Sequence, residues 1–537
     1  MLNNDFVCRD VLSGKIDPTI YGEWEPLKYR FSHLPVHIAL LHTGKVLAFG
    51  GSGNDPKYLE HPHPAEVFKP DTIGGNDGQV EEISNEGIDG DLFCAGHAFL
   101  EDGRLLVAGG TYKYDNSFFG IPLPPFRGLD HSYVFDPESL KWERLPNMKY
   151  SRWYPTCILT ADNIVVVMAG LTKRFPWVFL NKIEVLENSR NWLHYPSLDR
   201  WLPLYPRLHL LPNGEIFYAG SFNTHYTFPF SVKGFPSATL NLTTQKWKTI
   251  GNPKNTNREE GTSVLLPLIP PNYEPKVLLI AGGTPQGKNA IRDVEIIDFS
   301  SKNPGYEHFT PLNHERYYVY PVILPDRSIL VLGGKTGAKG HLHTDPSHAA
   351  AAHHHHHGPI EISHHPDAVM EPELLEFESK EWKPMADMKV DRLYHANALL
   401  LPDGRVMAVG SNPDRNSQEL RIELFRPPYL FRGERPIIKK CNEQTRYNKT
   451  IEIETLDSRT IDKICLIRPT CTTHCVNPEQ RYIGLEFERK NDTILQAEIS
   501  ENANLAPPGY YMLFILNSKF VPSIAHFIRL SHRDFKP

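Results

Sequence analysis

The stretch HAFLEDGRLLVAGG (97–110) reads as a β-hairpin. Apolar residues alternate on either side of Glu101-Asp102-Gly103, a turn whose residues tolerate φ > 0, and the two closing glycines let backbone pass close to neighbouring strands. The same pattern recurs at HIALLHTGKVLAFGG (37–51), CILTADNIVVVMAG (157–170) and RLHLLPNGEIFYAG (207–220). It returns at SVLLPLIPPNYEPKVLLIAGG (263–283), PVILPDRSILVLGG (321–334) and NALLLPDGRVMAVG (397–410). Most copies are followed by a third apolar run, as in HSYVFDP (131–137), DVEIIDF (293–299) or PELLEFE (372–378). A fourth run often begins with Trp: KWERLP (141–146), KWKTI (246–250) and EWKPM (381–385).

Four strands per repeat, at spacings of roughly 50 to 75 residues, define a propeller blade of the Kelch kind. Seven hairpins predict a seven-bladed β-propeller in an all-β chain. The seventh hairpin has a third strand, RIELFRP (421–427), but no Trp-led fourth. GEWEPL (22–27) supplies one from the N-terminus, which closes the ring and removes an exposed sheet edge. The propeller is therefore expected over 20–427. The remaining 428–537 holds strand-like runs, among them TIEIET, KICLIRP, RYIGLEF, YYMLFIL and HFIRL, without helical periodicity. An immunoglobulin-like antiparallel β-sandwich is expected there. Residues 338–367 break the repeat with a His- and Ala-rich insertion in the sixth blade. It includes His341, His343, His348, His353 to His357, His364 and His365 and reads as a surface loop, with copper capture as the functional alternative.

Composition narrows the function. A formal charge of -6 argues against a polyanionic partner, because nucleic-acid binders concentrate positive charge. No apolar run approaches the roughly 20 residues needed to cross a bilayer. The N-terminus, MLNNDFVCRDVLSGKIDPTI, lacks a basic segment followed by an apolar one, so no signal peptide is expected. Seven cysteines in 537 residues do not form a disulfide framework, which fits a reducing compartment such as the cytoplasm.

Residues just before each inner strand of a propeller converge on its axis. Counting back nine positions from the hairpin turn gives Cys94 from Gly103, Tyr154 from Asn163 and His395 from Gly404, with Tyr394 one step earlier. Tyr205 and Tyr318 fall at the same offset, so a large side chain packing round the axis is the bland reading of any one of them.

Three of these segments resemble a known family. DLFCAGHAFLEDGRLLVAGG around Cys94, SRWYPTCIL around Tyr154 and RLYHANALLLPDGRVMAVGSNP around Tyr394-His395 are similar to the copper-site segments of the glyoxal oxidases and galactose oxidases. ELFRPPYLFRGERP (423–436), TTHCVNPEQRYIGLEF (472–487) and APPGYYMLFILNSKFVPSIAH (506–526) resemble that family's C-terminal early-set sandwich, in matching order. The RWYP form is closer to the glyoxal oxidase branch. The resemblance implies one copper ion held by Tyr154, His395 and His474, with Tyr394 axial. It also implies a thioether between Cys94 and Tyr154, and a Tyr154 radical that supplies the second electron of a two-electron oxidation. Tyr394 would serve as base. The implied reaction takes a small aldehyde or primary alcohol and dioxygen to an oxidised product and hydrogen peroxide, in a monomeric enzyme of a mostly secreted family.

The family also stacks a Trp over the modified Tyr. Trp177 is the nearest candidate, with Trp153 and Trp201 competing. Cys471 and Cys475 flank His474, where thiols could reduce copper, bind it or pack. Cys157 reads as a buried small residue. The alternatives to an oxidase are a Kelch-type propeller that binds a protein or glycan without chemistry, and copper storage by the His-rich insertion.

Overall fold

A computed structural model describes residues 14–532 apart from 54–57, 59–63, 72–77, 115–116, 119–120, 123–125, 174–179, 189, 221–234, 285–288, 338–364 and 414–416. Of the His-rich insertion only residues 365–367 are described, and Trp177 lies outside the described residues.

Each hairpin read from the sequence forms the inner half of a four-stranded antiparallel meander, and seven sheets carry this pattern. The innermost strands are His37–Leu40, Gly96–Phe99, Thr156–Leu159, Leu208–Leu210, Thr262–Leu265, Tyr320–Ile323 and Asn397–Leu400. We number their sheets blades 1 to 7. The last blade is closed as expected: Glu23–Arg30 runs antiparallel to Arg421–Arg426, with Trp24 opposite Phe425. The Trp that leads an outer strand reaches back over the preceding blade. Trp192 Nε1 donates to Ser132 Oγ at 3.0 Å, Trp247 Nε1 to Leu198 O at 2.8 Å and Trp382 Nε1 to Thr310 O at 2.9 Å. A large apolar ring with one donor covers the blade edge and satisfies its single polar atom.

A second repeated device fastens five of the blades. The loop leading into the blade carries a buried basic side chain that grips a buried glutamate on the third strand. The pairs are Arg152–Glu184 at 2.9 Å, Arg258–Glu295 at 2.6 Å, Arg316–Glu373 at 2.9 Å and Arg392–Glu423 at 3.3 Å, all fully buried. Blade 1 uses His33 and Glu66 at 2.8 Å. Each glutamate also accepts backbone N–H groups of the same loop, for instance those of Lys254 and Asn255 on Glu295 at 2.8 and 2.9 Å. Each arginine also donates to a carbonyl where the hairpin closes, as Arg152 does to Ala169 O and Arg392 to Gly410 O. A buried ion pair survives only when its remaining donors and acceptors are satisfied, and these clasps meet that condition largely with backbone.

The C-terminal strands, from Ile438–Cys441 to His526–Ser531, form a four-stranded and a five-stranded sheet. The sandwich is not wholly antiparallel: Gln444–Arg446 runs parallel to Arg529–Ser531. This part meets the ring through its own backbone. Cys471–Thr472 adds a strand to blade 1, pairing Ile38 with Thr472 and Ala39 with Cys471. That insertion brings the next residues, Thr473 to Val476, to the propeller axis. No helix among the described residues is long and apolar enough to cross a membrane.

Candidate metal centre on the propeller axis

The loops entering the blades share a backbone seat. Two residues before the first strand of blades 2, 3, 5, 6 and 7 stand Cys94, Tyr154, Glu260, Tyr318 and His395, and Tyr205 stands three before that of blade 4. All six have positive φ, at 64°, 63°, 56°, 70°, 59° and 44° respectively. Side-chain-bearing residues rarely adopt this region, so its repetition marks an imposed conformation that aims each side chain inward. Blade 1 has Pro35 at this place, whose ring fixes φ negative. Hydrogen bonds link neighbouring seats: Tyr154 N to Cys94 O at 3.0 Å, Tyr205 N to Tyr154 O at 2.8 Å and Tyr318 N to Glu260 O at 3.1 Å.

Into this annulus the C-terminal sheet inserts a two-residue hairpin. Thr473 and Val476 exchange backbone hydrogen bonds, while His474 and Cys475 between them have φ of 46° and 62°. This is the mirror-image turn that Asn-Gly usually fills, so His474 is held at the tip against its preference. The ring anchors it from several blades. Arg207 Nη2 donates to His474 O at 3.2 Å, Thr262 Oγ1 to Cys475 O at 2.9 Å and Val319 N to Cys475 Sγ at 3.2 Å.

Hydrogen counting fixes the tautomer of His474. Thr473 Oγ1 donates its one proton to Val36 O at 2.7 Å and lies 2.6 Å from His474 Nδ1. The hydroxyl therefore accepts from Nδ1–H, which leaves a lone pair on Nε2. Nε2 lies 3.6 Å from Cys94 Sγ. Cys94, His395 and His474 are all buried, with ligand atoms within 4.8 Å of one another. Two ligands on opposite sides of one ion at about 2.0–2.3 Å stand about 4–4.6 Å apart, so the three converge on a volume that a single ion fills.

The two tyrosines join this cluster. The hydroxyls of Tyr154 and Tyr394 are hydrogen-bonded to each other, and Cys94 is hydrogen-bonded to Tyr154. The ring of Tyr394 stacks on His395 at 3.7 Å, and the His474 ring lies 4.8 Å from that of Tyr154 and 4.6 Å from that of His395. Burial pushes the Tyr154 and Tyr394 phenols and the Cys94 thiol well above their usual ranges, and neighbouring acidic groups add to this. Without a cation beside them these groups hold their protons. Two imidazoles and two phenols fit the tetragonal preference of Cu(II), which draws both donor types.

Trp153 stacks on Tyr154 at 3.7 Å and 11° between planes, and Phe126 stacks on its other face at 4.6 Å and 7°. Trp201 is half exposed, which removes it from the axis. Cys471 and Cys475 stand outside the metal-competent group, and burial raises both thiols, Cys475 to about 12. They pack, as does Cys157, which sits on the inner strand of blade 3 in the apolar cluster between blades 2 and 3. The sequence count back from the turn missed Glu260, because the fifth hairpin has a longer loop. The Arg-x-seat spacing shared by Arg152 and Tyr154, Arg258 and Glu260, and Arg316 and Tyr318 would have found it.

Residues 435–530 match the Galactose oxidase-like, Early set domain. A WSC domain-containing protein of Arthroderma benhamiae is 29% identical over 82% of this chain, which spans only 46% of that protein. Aldehyde oxidase GLOX of Vitis pseudoreticulata is 26% identical over 95% of this chain and 97% of its own length. A fungal alcohol oxidase in complex with copper shares the fold, with a TM-score of 0.74 and 21% identity over 95% of this chain and all of that one. The resemblance to the glyoxal and galactose oxidases read from the sequence is borne out.

Proposed function

We propose that this homologue of the glyoxal and galactose oxidases is itself a copper-radical oxidase acting on a small aldehyde or primary alcohol. The observation that carries the reading is the convergence of Cys94, Tyr154, Tyr394, His395 and His474 on one buried point of the axis. Tyr154, Tyr394, His395 and His474 would hold the ion. Bound copper supplies one of the two oxidising equivalents and a position for substrate or dioxygen.

The chain's own residues account for the rest. A thioether between Cys94 Sγ and the Tyr154 ring forms with loss of two hydrogens to dioxygen, and sulfur beside the phenol oxygen lowers the potential at which Tyr154 gives up an electron. Trp153, sandwiched between Phe126 and Tyr154, spreads and shields that radical, the part for which Trp177 was the sequence candidate. Tyr394 takes the substrate hydroxyl proton at its phenol oxygen. A hydrogen atom from the substrate carbon then passes to the Tyr154 oxygen. Overall, RCH2OH and O2 become RCHO and H2O2. An aldehyde enters through its hydrate and leaves as an acid.

Incubation of the full chain with copper in air is expected to remove two hydrogens from its intact mass, and Cys94→Ser is expected to lose none. Peroxide should form from glycolaldehyde, methylglyoxal or a primary alcohol. A wild-type mass that stays unchanged, with no peroxide from any of these, overturns the reading.

A further inference from the structure

Three seats are fastened by a hydrogen bond from their own N–H to the carbonyl of the seat before: Tyr154 to Cys94, Tyr205 to Tyr154 and Tyr318 to Glu260. Cys94 departs from this. Its N–H donates to a side chain, Nε2 of His37 at 3.2 Å, on the innermost strand of blade 1. The carbonyl of Pro35, the seat before Cys94, is taken by Asn397 Nδ2 at 3.0 Å. His37 is fully buried and firmly mounted. Its ring stacks on Phe49 at 4.7 Å and 8°, and its strand runs between Val46–Phe49 and Cys471–Thr472. The carbonyl of Val36 beside it accepts from Thr473 Oγ1 at 2.7 Å and from Asn397 Nδ2 at 2.9 Å. Stacking on Phe49 asks only for a flat ring. What an imidazole adds is the lone pair on Nε2, and its use as acceptor places the ring hydrogen on Nδ1. The reaction above gives this residue no part.

We propose that His37 is a positioning residue for the Cys94–Tyr154 cross-link: its Nε2 holds the Cys94 peptide in the blade 2 seat, and the Cys94 carbonyl in turn holds the N–H of Tyr154. The two residues to be joined are thereby fastened in series to one rigid point on blade 1. The proposal rests on the copper reading above. The cross-linking step breaks the S–H bond of Cys94 and a ring C–H bond of Tyr154 and makes one C–S bond. Both hydrogens, with two electrons, leave to dioxygen as H2O2. A bond between two side chains forms only while they keep contact in one orientation, so a seat held less firmly lowers its rate.

The test compares the full-length wild type with His37→Phe, which keeps the stacked ring and removes the acceptor, and with His37→Gln, which offers an acceptor oxygen in its place. In the metal-free chains, hydrogen exchange at the Cys94 amide is expected to quicken on the order of fivefold in His37→Phe and to stay near wild type in His37→Gln. On adding copper in air, the loss of two hydrogens from the intact mass is expected to slow on the order of tenfold in His37→Phe and to recover to within about threefold of wild type in His37→Gln. Copper affinity should stay within about threefold in both, since neither change removes a ligand. Unchanged exchange or an unchanged cross-linking rate in His37→Phe overturns the positioning role alone. Equal slowing in His37→Phe and His37→Gln does so too, because packing rather than the acceptor would then set the rate. A wild-type mass that does not change in copper and air overturns the copper reading and this proposal with it. Should His37→Phe not fold, His37→Met against His37→Gln gives the same contrast at matched size.

Discussion

Arg152 and Tyr154 are two residues apart on one loop and serve opposite ends of the molecule's design. Arg152 turns outward into its clasp with Glu184, and Tyr154 turns inward to the axis. The same division holds for Arg258 and Glu260, and for Arg316 and Tyr318. At the outward position the residue type repeats, because each blade poses the same problem of fastening its leading loop to its third strand. At the inward position the backbone repeats but the side chains differ, because all of them meet at one point and each sees different neighbours. In a propeller, chemistry is to be sought where φ is shared and the side chain is not. Blades 2 and 4 sharpen this. Cys94 and Tyr205 sit in the seat without an Arg–Glu clasp, and local bonds replace it: Asp91 caps the backbone N–H groups of Ser52 and Phe93, and Arg207 grips Tyr205 O at 2.8 Å.

The largest expected effect comes from breaking a clasp. Glu295→Ala leaves Arg258 charged and buried without its carboxylate, and the N–H groups of Lys254 and Asn255 without an acceptor. Loss of one member of a buried pair costs about 3–5 kcal/mol. Urea unfolding should show that fall for Glu295→Ala. Tyr154→Phe, which removes one hydroxyl, should cost about 1 kcal/mol while abolishing the cross-link-dependent oxidation. If the two stability losses are alike, the division between fastening and chemistry fails.

A second effect belongs to the inner strands rather than to clasp or seat. Burial lowers His97 and His209 to about 3, so both stay neutral in the folded chain. Their folded values lie below the unfolded one, near 6.5. The stability they support is therefore complete above pH 6.5 and lost as pH falls from there towards 3, by about 1.4 kcal/mol per pH unit for each histidine. His97→Phe should flatten that acid limb by about one histidine's share. An unchanged slope would place the acid sensitivity elsewhere.

The repeat was legible because a hairpin is local: alternation, turn and closing glycines sit within about 14 residues of one another. The strand that closes blade 7 was legible from a missing Trp-led run at one end and a spare one at the other. The clasps were not, because Arg and Glu lie 31 to 57 residues apart and neither position differs in composition from an ordinary polar loop or strand. Of the site, the seats that share a turn offset could be counted, and Glu260 escaped because Pro270-Pro271-Asn272 lengthens its hairpin. Trp153 could not be singled out from the sequence, because a strand-adjacent ring can face either way until φ at Tyr154 is known. The parallel pairing of Gln444–Arg446 is three residues long and carries no periodicity to read.

Tyr205 is the residue on which the comparison can be tested most finely, because it occupies a seat yet behaves as a fastener. Its hydroxyl donates to Ala95 O at 2.7 Å, the carbonyl next along from Cys94, and its ring lies 4.4 Å from that of Tyr154 and 4.9 Å from that of His474. It is not among the residues proposed to hold the ion. In Tyr205→Phe the ring and its packing remain, and a buried carbonyl loses one donor, a loss of about 1 kcal/mol. Copper affinity should stay within about twofold, since no ligand and no charge has changed. The rate at which the chain loses its two hydrogens in air should fall only as far as Cys94 is less firmly held. A collapse of copper binding instead would mean that occupying a seat is enough to make a residue part of the chemistry, and the contrast between a shared backbone and a divergent side chain would lose its meaning.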